Sequence, residues 1–150
     1  MLTGHTTDMY DRAVVWEPEA LRIVSQLPTS PHCAQLLDEF TIPGKGSAGS
    51  HMCFVMPVYG GDVKALVEAR STTLPLPLAK RVALHLLRGI AHAHERGIVH
   101  TDIKRDNVFF STTMTVGDIE AWVTKEPSRR HAPEASRDGT VQAAVSQPHP

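Results

Sequence analysis

Residues 100–107 read His100-Thr101-Asp102-Ile103-Lys104-Arg105-Asp106-Asn107 and fit the spacing His-x-Asp-[Leu/Ile]-Lys-x-x-Asn. No other stretch limits the fold as strongly, because each fixed residue type suits a separate chemical task. An aspartate can accept the proton of an attacking hydroxyl. A lysine two residues on can neutralise charge on a phosphoryl group in flight. An asparagine five residues after the aspartate can offer a hard oxygen to Mg²⁺. Such a loop needs a rigid element leading in and a short strand leading out.

The flanks meet that need. Leu78, Val82, Leu86 and Ile90 recur every fourth residue, with Ala79, Ala83 and Leu87 widening the stripe, so residues 78 to 96 read as an amphipathic helix. Gly97 follows as a left-handed cap, and Ile98-Val99 leads into the octapeptide. Val108-Phe109-Phe110 then reads as a short buried strand.

Upstream, Val14, Leu21, Val24 and Leu27 predict a helix over Tyr10 to Leu27 that carries Pro18 in its first turn. Leu36 to Ile42 reads as a strand, and His51 to Tyr59 as a buried one. The Gly-rich link Gly44-Lys45-Gly46-Ser47-Ala48-Gly49-Ser50 between them predicts an antiparallel hairpin. Gly60-Gly61 reads as a break and Val63 to Glu68 as a short helix. Thr115-Val116-Gly117-Asp118 has the form of a capped helix start. Beyond about Lys125, Pro127, Pro133, Gly139, Pro148 and Pro150 leave little apolar material, so residues 125–150 are expected to be disordered or insert-like, after a first domain over 1–124.

Composition excludes several classes. A formal net charge of −1 gives no global field for nucleic acid or an acidic membrane. Two cysteines, Cys33 and Cys53, are too few for a disulfide framework and read as buried thiols in a reducing compartment. The first residues lack the form of a signal peptide, and no apolar run reaches the roughly 20 residues that span a bilayer. A cytoplasmic or nuclear location is expected. His92 and His94 fall on different helix faces and read as surface histidines. Gly44-Lys45-Gly46-Ser47 lacks the Walker spacing and reads as a hairpin loop, and Arg129-Arg130-His131 is too short to read as a nucleic-acid patch. Phe54 and Met56 read first as core packing.

With its setting, the octapeptide resembles the catalytic loop of a eukaryotic Ser/Thr protein kinase. The chain is most similar to a fungal branch of the SR-protein kinases, on Thr101 in the position usually held by arginine and on His51-Met52-Cys53-Phe54-Val55. Val145-Ser146-Gln147-Pro148 also resembles an insert of that group. The resemblance covers roughly residues 1 to 110. It implies an α+β, protein-kinase-like fold, truncated to part of the N-lobe sheet with helix C, the hinge, and the start of the helical C-lobe. It implies ATP and Mg²⁺ as cofactors and a protein substrate, Arg/Ser-rich by analogy, with no nucleic acid or membrane partner.

By that likeness Asp102 is the catalytic base, Lys104 contacts the γ-phosphate, Asn107 ligates Mg²⁺, and His100 is architectural. Met56 is the gatekeeper, and Pro57, Val58 and Tyr59 form the hinge that grips adenine. Asp62 stands where a side chain can reach the ribose or the substrate. Glu17 is the helix glutamate that pairs with the ATP-binding lysine, with Glu19 as its alternative.

The departures are equally specific. A whole domain of this kind runs to about 250 residues, and the Gly-rich loop and its lysine are expected upstream of Glu17. No Asp-Phe-Gly follows Phe110, and Asp118 is followed by Ile119-Glu120. Residues 1–150 alone are therefore expected to be inactive, because phosphoryl transfer depends on positioning and charge stabilisation. Thr101 also lacks the cation that reads a phosphate on an activation loop, which implies an enzyme not switched through that contact. A non-catalytic binding remnant is the alternative, and it predicts uncovered apolar faces around Phe54, Val55, Phe109 and Phe110. A small-molecule phosphotransferase is disfavoured by Lys104.

Overall fold

The structure, a computed structural model, describes residues 4–12, 14–44, 49–70, 73–127, 129–136, 139–142 and 144–145. Its opening helices are α1 (Gly4–Asp11) and α2 (Glu17–Val24). The helix expected over Tyr10 to Leu27 is thus two. Pro18 dictates the split: it lies in the first turn of α2, where a missing N–H costs nothing, and α2 begins at Glu17. Leu27, expected on the helix face, lies beyond it and is 88% exposed.

β1 (Asp38–Pro43) and β2 (Ser50–Val55) pair antiparallel, in register from Asp38 opposite Val55 to Pro43 opposite Ser50. The expected hairpin is observed, although Lys45 to Ala48 of its loop lie outside the described residues. α1 is joined to this sheet where the Met52 amide donates to Thr7 Oγ1 at 3.2 Å. Arg22 of α2 is joined to it as well. Its guanidinium donates to both Glu39 oxygens at 2.8–3.1 Å, to Glu19 at 3.1 Å and to the Tyr10 hydroxyl.

β2 ends at Val55, so the strand expected as far as Tyr59 is also divided. β3 (Tyr59–Asp62) runs through Gly60-Gly61, which the sequence marked as a break, and pairs antiparallel with β4 (Phe109–Ser111). Glycine disfavours a strand by itself, but the partner across the chain supplies the bonds. Gly60 has a packing reason to be small, since a Cβ there would lie 3.3 Å from the Phe110 carbonyl.

α3 (Val63–Arg70) follows at once, and α4 (Leu76–His94) is the longest helix described. α4 ends as expected: Gly97 takes φ +75°, Ile98 N–H donates to the Ala93 carbonyl and Gly97 N–H to that of His94. α5 (Val116–Lys125) and a small hairpin, β5 (Glu134–Ser136) with β6 (Gly139–Val141), complete the order. That hairpin lies within 125–150, the stretch expected to be disordered or insert-like, and its described side chains are exposed. The class is α+β.

Burial is sparse. Pro18, Cys53, Val63 and Gly89 are buried among the described residues, as are the polar Thr7 and Ser30. β2 expected as a buried strand buries Cys53 but leaves Val55 37% exposed, because a two-stranded sheet is covered on few sides. Met56, read as core, is 42% exposed, and Phe109 of the strand read as buried is 56% exposed. Cys33 is half-buried rather than buried, and both thiols are free. No helix among the described residues is long and apolar enough to cross a membrane.

Candidate active site

The loop between α4 and β4 turns sharply at Thr101, whose φ of +54° lies in the left-handed region that β-branched residues avoid. The turn closes a three-residue ring, with the Asp102 amide donating to the His100 carbonyl at 2.6 Å and standing 3.3 Å from His100 Nδ1. His100 therefore braces the residue two positions on. A single 3₁₀ turn over Arg105–Asn107 then brings Asn107 back towards Asp102.

The result is a compact triad. Lys104 Nζ lies 2.9 Å from Asp102 Oδ2, and Asn107 Nδ2 donates to the same oxygen at 3.0 Å and to the Asp102 carbonyl at 2.9 Å. Asp102 Oδ1 has no bond among the described residues, so one carboxylate oxygen is held and the other is available. Lys104, with help from Asn107, holds the Asp102 carboxyl below the usual carboxylate range. Asp102 in turn pushes the Lys104 ammonium up. The sign is definite: Asp102's contribution to loop order is complete above about pH 3.9 and is lost as pH falls through the lowered value. In a Lys104→Ala variant the Asp102 titration, followed by carboxyl ¹³C NMR, is expected to move upward. An unchanged midpoint would show that Lys104 does not set it.

The sheet places the other candidates beside this triad. Tyr59 and Asp62 are the ends of β3, and β4, its partner, starts two residues after Asn107. A second tie runs from α3, where Lys64 Nζ lies 3.5 Å from Asp106 Oδ2. Sequence reading missed it because neither residue signals its partner locally.

Met56, Pro57 and Val58 form the irregular link from β2 to β3, with Met56 and Val58 exposed. Tyr59 is structural as well as positional: its hydroxyl accepts from the Gln35 amide at 3.0 Å and its ring lies against Phe109. Asp62 Oδ1 accepts from the Ala65 amide at 2.7 Å, which makes it the cap of α3. Glu17 stands exposed at the start of α2, whereas Glu19 is bonded to Arg22.

Asp118 is engaged elsewhere. Its Oδ2 accepts from the Thr115 amide at 2.8 Å and hydroxyl at 2.6 Å, while Thr115 Oγ1 accepts from the Asp118 amide at 3.2 Å. This is a capping box at the start of α5, and Thr115 holds the Asp118 carboxyl below its ordinary range. Thr115→Ala is expected to cost about 1 kcal/mol, read as faster amide exchange over the first turn of α5. Unchanged exchange there would contradict the cap.

No group of three or more His, Cys, Asp or Glu side chains able to hold a metal occurs among the described residues. The donor set therefore does not fit a metal held by the protein alone. Asn107 bonds Asp102 through its amide nitrogen, which leaves its amide oxygen as the atom that would face a cation arriving with a phosphate ligand.

The profile of the family described as "Protein kinase domain" matches residues 7–119. Serine/threonine-protein kinase US3 of Human herpesvirus 1 (strain 17) is 33% identical over 79 residues, which is 51% of this chain and 16% of that protein. A probable serine/threonine-protein kinase, clkA, of Dictyostelium discoideum is 31% identical over 83 residues, 55% of this chain and 8% of that protein. A putative cyclin-dependent serine/threonine-protein kinase of the same organism is 29% identical over 96 residues, covering 64% and 14%. The chain thus spans under a fifth of the length of these relatives.

Proposed function

The chain belongs to the protein kinase domain family, and from that premise we propose that it serves transfer of the terminal phosphoryl group of ATP to serine or threonine hydroxyls of proteins. The observation that carries the reading is the Asp102–Lys104–Asn107 triad, with one held and one available carboxylate oxygen. The substrate hydroxyl binds at Asp102 Oδ1 and is oriented for attack. As the new O–P bond forms and the bond to the ADP oxygen breaks, the hydroxyl becomes acidic and its proton passes to Asp102. A carboxylate held below its usual range takes that proton late, so Asp102 orients first and accepts afterwards. Lys104 then lies within reach of the charge on the transferring group. Asn107 would hold Mg²⁺ arriving with the nucleotide, and the ion would supply charge neutralisation there.

The hinge link Met56 to Tyr59 grips adenine in this reading, and Asp62 faces the ribose or the substrate. Glu17 serves as the partner of the nucleotide-binding lysine. Residues 1–150 by themselves are inactive in this reading, since Asp118 is held in the cap of α5 rather than open to a metal. The proposed group is the SR-protein-kinase-like branch, on Thr101, and the proposed substrate is Arg/Ser-rich. A cytoplasmic or nuclear location is supported by the free thiols Cys33 and Cys53.

The test uses the native-length polypeptide with Mg-ATP, one Arg/Ser-rich peptide, and the same peptide with each arginine replaced by alanine. Phosphoserine on the first alone is expected. Equal transfer to both would remove the Arg/Ser preference, and transfer to neither this pair nor any protein hydroxyl would remove the activity. A second reading, a non-catalytic binding remnant, is favoured by the exposure of Leu87, Val99 and Phe109 at 56–70%.

A further inference from the structure

The segment joining α2 to β1, residues 25–37, lies along one face of α4, and imidazoles make much of the seam. His32 Nδ1 is 3.1 Å from His85 Nδ1, with ring centroids 4.7 Å apart and planes at 73°. One turn on, Cys33 Sγ donates to the Gly89 carbonyl at 3.3 Å. Further along, His92 Nε2 is 3.1 Å from the Val24 carbonyl, and its Nδ1 is 3.1 Å from Arg96. Arg96 also donates to the Pro28 carbonyl at 2.7 Å. Residues 85, 89 and 92 share one helix face by their spacing, and Arg96 follows just past the end of α4.

These bonds fix proton positions. Two imidazole nitrogens at hydrogen-bond distance need one N–H and one lone pair, so His32 and His85 cannot both be cations there. A carbonyl can only accept and a guanidinium can only donate. His92 must therefore carry its proton on Nε2 and present a bare Nδ1, which makes it neutral. The other groups at the seam are Arg88, which acts on His32, and Cys33, whose thiol burial pushes up although Arg96 and Ser30 pull it down. Among the described residues, none of His32, His85, His92, Arg88 or Arg96 forms an ion pair with a carboxylate. Positive charge added to this seam has no carboxylate within ion-pair distance among the described residues to offset it.

We propose that the seam is a proton-sensitive clasp, in which residues 28–36 dock on α4 through the His32–His85 hydrogen bond and release when that pair takes up more protons than the bond can hold. Burial, then His85, then Arg88, hold His32 below its ordinary value, in the direction the clasp needs. Above about pH 6.5 the docked and released segments bind the same protons, and the clasp is at full strength. As pH falls from there towards the lowered His32 value, the released segment takes up a proton that the docked one refuses, and docking weakens. Because α4 runs directly into the loop that carries Asp102, the clasp connects α2 to the approach of the site. It does not depend on the phosphoryl-transfer reading.

The test is amide exchange in the full chain between pH 7.5 and 5.0, corrected for intrinsic rates. The Gln35 amide, which donates to Tyr59 Oη on β3, and the Leu36 amide, which donates to Ser25 Oγ just past α2, report whether residues 28–36 keep their place. The α5 amides serve as a remote reference. Protection at Gln35 and Leu36 is expected to fall relative to α5, by at most about tenfold per pH unit for each proton taken up. In His85→Gln, which keeps a polar partner for His32 without a second titrating ring, most of that fall should vanish. A constant ratio in the wild type, or an equal fall in His85→Gln, would overturn the clasp. Imidazole ¹⁵N NMR of the unaltered chain gives an independent reading: His32 is expected to titrate below about 6.5, and titration at or above that value would also overturn it.

Discussion

Gly89→Ala is expected to destabilise the chain by about 1–3 kcal/mol, the reverse of what the same change does in most helices. In an exposed helix interior alanine is favoured over glycine by about 1 kcal/mol, so propensity alone predicts a gain. Gly89 is not such a position. It is buried in the middle of α4, and a Cβ built on it would lie 2.5 Å from the His32 carbonyl oxygen. That oxygen belongs to backbone, so no rotamer change can relieve the clash. Either the segment across α4 moves away, with loss of the His32–His85 and Cys33–Gly89 contacts, or α4 deforms. Few described residues are buried, so a loss at this crossing is a large share of the stability available. At roughly 2–4 °C per kcal/mol for a chain of this size, a thermal melt should register the drop. A melting temperature equal to or above that of the wild type would show that the crossing does not hold the fold together.

The features that were legible in the sequence are those made by neighbours in the chain. The α4 stripe of Leu78, Val82, Leu86 and Ile90 is half-buried as the spacing required, and Gly97 takes the left-handed cap. The Asp102–Lys104–Asn107 triad could be read because its members lie within one turn and a 3₁₀ step. Thr115 and Asp118 were legible as a cap for the same reason.

Features set by distant partners were not. Gly60-Gly61 reads as a break until β4, nearly fifty residues later, offers its backbone. Met56 reads as core from its apolar neighbours, but little is stacked over the two-stranded β1–β2 sheet beside it. His92 reads as a surface histidine and is instead bonded to Val24 and Arg96. The His32–His85 pair joins residues 53 apart, and nothing in either neighbourhood announces the other. The early helix was placed too far upstream because Val14 suited its stripe, whereas Pro18 fixes the first turn at Glu17.

Asp102→Asn is expected to have the largest effect on activity. The substitution keeps the size of the side chain and a hydrogen-bonding oxygen, so the loop turn through His100 and the bond from Asn107 can persist. It removes the charge that pairs with Lys104 and the site that takes the proton. Loss of a positioned acid–base group costs about 10²–10⁴ in rate, and loss of the orienting charge adds to the upper end. Nucleotide affinity is expected to change little by comparison, because in the proposed reaction Asp102 Oδ1 faces the hydroxyl rather than the adenine.

The measurement that tests this account most directly is the rate of phosphoryl transfer from Mg-ATP to protein serine and threonine by the native-length polypeptide, wild type beside Asp102→Asn. The account predicts transfer by the wild type and a fall of about 10²–10⁴ in kcat with nucleotide binding retained. Transfer at the wild-type rate by Asp102→Asn, or nucleotide binding without any transfer by the wild type, would contradict it.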